Sequence, residues 1–289
     1  MNDQDQVYQV SETEILKLKR FVLWSVTGTI ALAFLAGVFI LTADTWMRYV
    51  SFSAEKRFIK PHLDFALEHG FSSADPKVEK YLNQLASALA VKQGLPEEAE
   101  LEIHFIQGDM ANAFATLGGH ILVFEGLLKE IPDENTLAMV LAHEIAHIKH
   151  RDPIVSVGRG VALQVLLSGG SNTGGIEREA ASFSEQLAGN IYSRDQERAA
   201  DEAALKTLHK YYGHVWGAEQ LFFFLAEASD EKIQKSPEKV TRIDDWFSTH
   251  PTLYSRMERM RDLAKEKGWT QSEPSPFPEV VQNYLTKQR

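Results

Sequence analysis

Cysteine is absent from the chain, and that absence excludes two things at once. No disulfide can staple the fold, and no thiolate can hold a metal. Any metal must therefore be bound by histidine and carboxylate. The compartment stays open, since a chain without thiols suits an oxidising or a reducing one. A basic stripe is missing as well. The formal net charge is −10, and without clustered Lys and Arg there is nothing to neutralise phosphates, which excludes a nucleic-acid partner. No internal repeat is visible, so solenoids and propellers drop out. Long apolar runs are scarce: one lies near the N-terminus, and a shorter segment, Ile154 to Leu167, is interrupted by Arg159 and reads as a core helix.

What remains is ordinary globular material. The chain has 289 residues and 44% hydrophobic content, enough for one domain of usual size plus appendages. Residues 1–20 form a polar tail, in which Ser11 and Glu14 have capping-box spacing at the start of a helix. From Phe21 to Ala43 no charged residue occurs. As a helix this run spans roughly 34 Å, enough to cross a bilayer. Trp24 at one end, with Trp46 and Tyr49 beyond the other, suits the two interfacial belts. The run is long for a signal peptide, so 21–43 reads as an uncleaved single-pass anchor. Lys17, Lys19 and Arg20 crowd its N-terminal flank, which places the main domain on the non-cytoplasmic, periplasmic side.

Residues 44–74 read as a connector. Asp75 then offers an N-cap with Pro76 at the first helical position, and an amphipathic helix follows to Ala90. Leu101 to Ile106 alternates apolar and polar residues as a strand does. His104 sits on its polar side and reads as a solvated histidine rather than a ligand. Gly118-Gly119 marks a turn or bulge before a second strand, His120 to Phe124. The pair predicts a small antiparallel sheet, whose edge could hold an extended peptide.

The chemistry is concentrated in Leu137 to His150, which contains His143-Glu144-Ile145-Ala146-His147, the H-E-x-x-H pattern of zinc-dependent hydrolases. At 3.6 residues per turn His143 and His147 stand on one helix face, so both imidazoles reach one ion. Glu144 lies about 100° round the axis, poorly placed as a third ligand but within reach of a water at the ion. Apolar residues run nearly all round this helix, so it is buried. Asp133 and Glu134 open it, Lys149, His150 and Arg151 close it, and Pro153 stops it. Two buried histidines and a glutamate need partners, and a metal supplies them most simply.

A catalytic zinc usually has three protein ligands and an open position. The variant H-E-x-x-H-x-x-G-x-x-H is excluded, because His150 and Pro153 occupy the positions of its Gly and last His. A glutamate from a later helix remains, with Glu177, Glu179, Glu185, Glu197 and Glu202 as candidates. Glu197 is preferred, because Asp201 four residues on shares its face and could support the site. The Gly-rich stretch 168–175 reads as a connector rather than a lid, and the proline-containing stretch 266–289 as a C-terminal tail on the surface.

Four pieces together resemble the HtpX and CAAX-prenyl-endopeptidase family of zinc metallopeptidases, especially its periplasmic members. They are Asn112-Ala-Phe-Ala with Gly118-Gly119, His143-Glu-Ile-Ala-His147, Ser193-Arg-Asp-Gln-Glu197 with Asp201, and His250-Pro251 with Arg256. They occur in family order and cover roughly 100 to 260. The resemblance implies one Zn2+ held by His143, His147 and Glu197, with Glu144 as catalytic base. Asp201 would lie beneath a histidine, Arg256 beside the site, His250 at the cleft near the metal or the oxyanion, and Asn112 against substrate backbone. Leu117 stands where the family often has proline, and the C-terminal helical-repeat domain of some relatives is absent.

The resulting expectation is a mostly helical α+β protein. A zincin-type metallopeptidase domain over 75–265, with a small antiparallel sheet beside its cleft, follows one N-terminal transmembrane helix. It would cleave polypeptides, including envelope proteins under quality control. The competing readings are a membrane-tethered chaperone or adaptor with a zinc-stabilised but inactive fold, and a zinc hydrolase of a non-peptide amide. Oligomeric state is not legible.

Overall fold

The computed structural model describes residues 11–69, 71–158, 160, 192–222 and 253–288. The expectations for the Gly-rich stretch 168–175, for Glu177, Glu179 and Glu185, and for His250 and Pro251 fall outside the described residues.

The first helix, α1 (Glu12–Met47), begins at a complete capping box between Ser11 and Glu14. Its stretch Glu12–Leu35 is long and apolar enough to cross a membrane, and none of that stretch is buried against the protein. Beyond it, Arg48 donates to the carbonyl oxygen of His150. The segment read as a connector holds a second helix, α2 (Phe52–His69), which buries Ile59 and Leu63.

Helix α3 (Pro76–Gln93) starts where the sequence puts it: the Asp75 side chain accepts from the backbone of Lys77 and Val78, and Pro76 needs no donor of its own. Three strands follow, β1 (Glu102–Ile106), β2 (Ala113–Ala115) and β3 (His120–Phe124). Their order is β1-β3-β2. The expectation of an antiparallel sheet holds only for β2 and β3. The two strands read from the sequence, β1 and β3, run parallel, with Glu102 opposite His120 and Ile106 opposite Phe124. The physical reason is β2. The chain reverses into β2 and reverses again at Leu117–Gly119, so β3 returns in the direction of β1. That second reversal needs glycine. Gly119 has φ of 86°, and a Cβ there would lie 2.1 Å from the carbonyl oxygen of Ala99.

Alternation sorts the strands onto two faces. Ile103, Phe105, Ala113, Ala115, Ile121 and Val123 join the main core with α3 and the helices beyond the sheet. Ile106, Phe114, Leu122 and Phe124 pack instead on Ile59 and Leu63 of α2. After a short helix, α4 (Glu125–Glu130), comes α5 (Glu134–His150), buried along nearly its whole length. Asp133 caps it, accepting from the backbone of Thr136 at 2.8 Å, and Arg151 ends it in the left-handed conformation. The backbone then re-enters a helical stretch over 152–158, with Pro153 in its first turn. Helix α6 (Arg194–Tyr212) lies along α5, and α7 (Leu253–Glu266) packs on α6.

The C-terminal stretch is not the surface appendage expected of it. Helix α8 (Glu279–Lys287) buries Val281 and Tyr284, and Phe277 ahead of it is buried too. Tyr284 meets Phe105 of β1 edge-on with ring centroids 5.5 Å apart.

Candidate metal centre

Helix α5 presents His143 and His147 one turn apart, and their Nε2 atoms lie 3.0 Å from each other. Helix α6 brings Glu197 against both. One carboxylate oxygen is 3.4 Å from Nε2 of His143, and the other is 3.5 Å from Nε2 of His147. All three residues are essentially inaccessible to solvent. The capping box of Ser193 and Gln196 fixes the start of α6, and Glu197 follows directly in its first turn. Local sequence thus sets the carboxylate's height along α5.

Each histidine keeps its other nitrogen on a carboxylate. Nδ1 of His143 is 3.1 Å from Oδ1 of Asp201, and Nδ1 of His147 is 2.9 Å from Oδ2 of Asp152. Such contacts fix the ring and direct the remaining lone pair at a metal. Asp201 is itself gripped by Arg256, which donates Nε–H to Oδ2 at 2.8 Å and a second N–H to Oδ1 at 2.7 Å. The remaining guanidinium nitrogen lies 2.6 Å from Glu197. Asp152 accepts from Nε2 of Gln196 at 2.8 Å. Glu144 points to the sheet: one of its oxygens accepts from the backbone N–H of Ala115 in β2 at 2.8 Å.

The site is rich in buried acid. Among the described residues Glu144, Asp152, Glu197 and Asp201 are buried, with the buried Arg256 beside Glu197 and Asp201 and Arg48 3.8 Å from Asp152. Burial disfavours a charged imidazole at His143, yet Asp201 and Glu197 outweigh it and raise its pKa above the usual value. At His147 burial is again overridden, by Asp152 and Glu197, and the pKa is pushed up to about 10. Arg256 and His143 hold Asp201 low in spite of its burial.

The donor set fits a metal on geometry alone. A tetrahedral zinc with bonds near 2.0–2.2 Å has ligand atoms about 3.3 Å apart, and the three separations here bracket that spacing. Thiolate-preferring clusters are excluded by composition, while two imidazoles and a carboxylate suit zinc.

Residues 76–264 match the Peptidase family M48 model. The chain belongs to peptidase family M48. It is 26% identical to the beta-barrel assembly-enhancing protease of Yersinia pestis over 207 residues, covering 66% of this chain and 40% of that protein. It is 28% identical to a protease HtpX homolog of Aquifex aeolicus over 236 residues, covering 65% of this chain and 73% of the relative. It is also similar to the mitochondrial metalloendopeptidase OMA1 of Schizosaccharomyces pombe, 26% identical over 241 residues, covering 77% of this chain and 68% of the relative. The first of these is thus spanned over less than half its length.

Within this M48 domain the structure brings His143, Glu144, His147, Glu197, Asp201 and Arg256 together. Asn112 is buried directly before β2, and its carbonyl oxygen accepts from the N–H of Phe124 at 3.0 Å. Glu202 stands apart, paired with Lys206 on the outer face of α6. Sequence reasoning missed Asp152 and Tyr192. The ring of Tyr192 stacks on His147 with centroids 3.9 Å apart. Asp152 had a signal: the second nitrogen of His147 needs an acceptor, and an acid just past the helix end is the nearest source. For Tyr192 nothing local gives the contact away.

Proposed function

We propose that the chain is a membrane-anchored zinc endopeptidase. The observation that carries the reading is the buried triangle of His143, His147 and Glu197, with Glu144 beside it tied to the backbone of β2. His143, His147 and Glu197 would hold the ion. When bound, zinc supplies Lewis acidity, polarising the scissile carbonyl and lowering the pKa of a water. Glu144 takes the proton from the attacking water and returns it to the leaving nitrogen. Its bond to Ala115 fixes that carboxylate on the side of the site that faces the sheet. Asp201 and Asp152 orient the histidines, and Arg256 holds Asp201 and Glu197 in place. Strand β2 stands at the margin of the sheet, where an extended polypeptide can be held by main-chain pairing, with Asn112 at the start of that margin. His250 donates to the oxyanion.

In this reading helix α1 tethers the domain of 75–265 to the membrane, and the Lys17, Lys19 and Arg20 cluster supports a position on the non-cytoplasmic side. The substrates are polypeptides, including misassembled envelope proteins; the names of the relatives support this class. Purified full-length protein in detergent tests the activity. Casein degradation should stop on adding a chelator and return with zinc, and degradation indifferent to the chelator would contradict the reading. Protease added outside spheroplasts should reach the domain, whereas protection until lysis would reverse the orientation.

A further inference from the structure

A second cluster of metal-ligating side chains lies on the opposite face of the sheet from α5. Glu102 and His104 alternate along β1 and so share a face, and His120 stands across from Glu102 in the parallel register. This is the face covered by α2, at the end of the sheet away from Leu122 and Phe124. Nε2 of His104 lies 3.1 Å from Nδ1 of His120, and the same His120 nitrogen is 3.5 Å from a carboxylate oxygen of Glu102.

Both separations lie close to the edge of a tetrahedral zinc polyhedron, about 3.3 Å, and the ligand atoms of all three side chains lie within 4.8 Å of one another. From this coincidence we propose that Glu102, His104 and His120 form a second zinc site, which staples β1 to β3. A solvated strand histidine, the sequence expectation for His104, does not describe it. Its ring is half-buried and faces another imidazole, with centroids 5.2 Å apart.

The surroundings of the cluster support the site. The side chain of His120 is only 12% exposed while that of Glu102 is 60% exposed, so two fixed donors are joined by one that can swing in from solvent. The nearby cations on α2 each face a carboxylate, Lys56 that of Glu100 and Lys60 that of Asp64. Glu79, whose carboxylate accepts from the N–H of Phe105, adds negative charge near His104. A site of this kind is structural, and it does not depend on the peptidase reading.

The test is a zinc count on the full-length protein in detergent, stripped and re-equilibrated by dialysis against zinc. Wild type should bind two equivalents. His104→Gln with His120→Gln should keep one, and His143→Ala with His147→Ala should also keep one. Glu102→Gln, at an exposed position, should weaken the second equivalent by at least about tenfold and leave the first unchanged. A single equivalent in wild type, lost with the His143 and His147 pair, would reduce the cluster to an imidazole–imidazole hydrogen bond and overturn the proposal. So would two equivalents that persist without His104 and His120, or a second equivalent indifferent to Glu102→Gln.

Discussion

Asp152, one residue past the cap of α5, places a carboxylate oxygen 2.9 Å from Nδ1 of His147, as Asp201 of α6 does for His143 at 3.1 Å. The two proposed zinc ligands are thus oriented from opposite ends of the site. One acid is local to α5, and the other comes from a helix far along the chain. Asp152→Asn and Asp201→Asn should each keep the shape and lose the charge. Zinc affinity, measured by competition with a chromophoric chelator, should fall by about 10- to 100-fold in each. Unchanged affinity in both would show that the carboxylates serve packing only.

The carboxylate of Glu197 spans both imidazoles. Glu197→Ala should lower the zinc content of the purified protein, while Glu177→Ala and Glu185→Ala leave it unchanged. Elemental analysis decides the matter, and equal zinc in all three would mean that another carboxylate is the ligand.

The turn into β3 depends on Gly119. A methyl group there would meet the Ala99 carbonyl at 2.1 Å on a backbone with φ of 86°. Gly119→Ala should destabilise the domain by more than about 2 kcal/mol, through backbone strain added to overpacking. Denaturant unfolding of the two proteins measures this. A difference below about 0.5 kcal/mol would show that the turn relaxes freely.

His250 precedes a proline, Pro251, and stands shortly before α7, which carries Arg256. His250→Ala should reduce kcat about 10²-fold at unchanged zinc content, as the loss of an oxyanion donor does. A gain in activity would point instead to a resting ligand that substrate displaces. Wild-type kinetics would leave a surface histidine.

The elements legible in the sequence are those with local causes. Helix α5 announces itself by its caps and its 3.6-residue period, and the same period puts His143 and His147 on one face. Asp75-Pro76 marks the start of α3 for equally local reasons. The sheet is different. Alternation shows that 102–106 and 120–124 are strands, but only β2, three residues long, sets their parallel pairing. Such a short strand has too little pattern to read. The stretch 266–289 misleads because its prolines catch the eye, whereas Phe277, Val280, Val281, Tyr284 and Leu285 repeat at helical spacing and pack on the core. His104 and His120 are far enough apart in sequence that only their strand pairing brings the two rings together.

Glu144 is proposed to move the proton in a zinc-dependent peptide cleavage, and Glu144→Gln isolates that role. The amide keeps the size of the side chain and cannot accept a proton. Zinc content and casein cleavage should be measured on the same purified samples of wild type and variant. Zinc should be equal in both, with cleavage falling by at least about 10²-fold in the variant. A fully zinc-loaded Glu144→Gln protein that retains most of its activity would contradict that role.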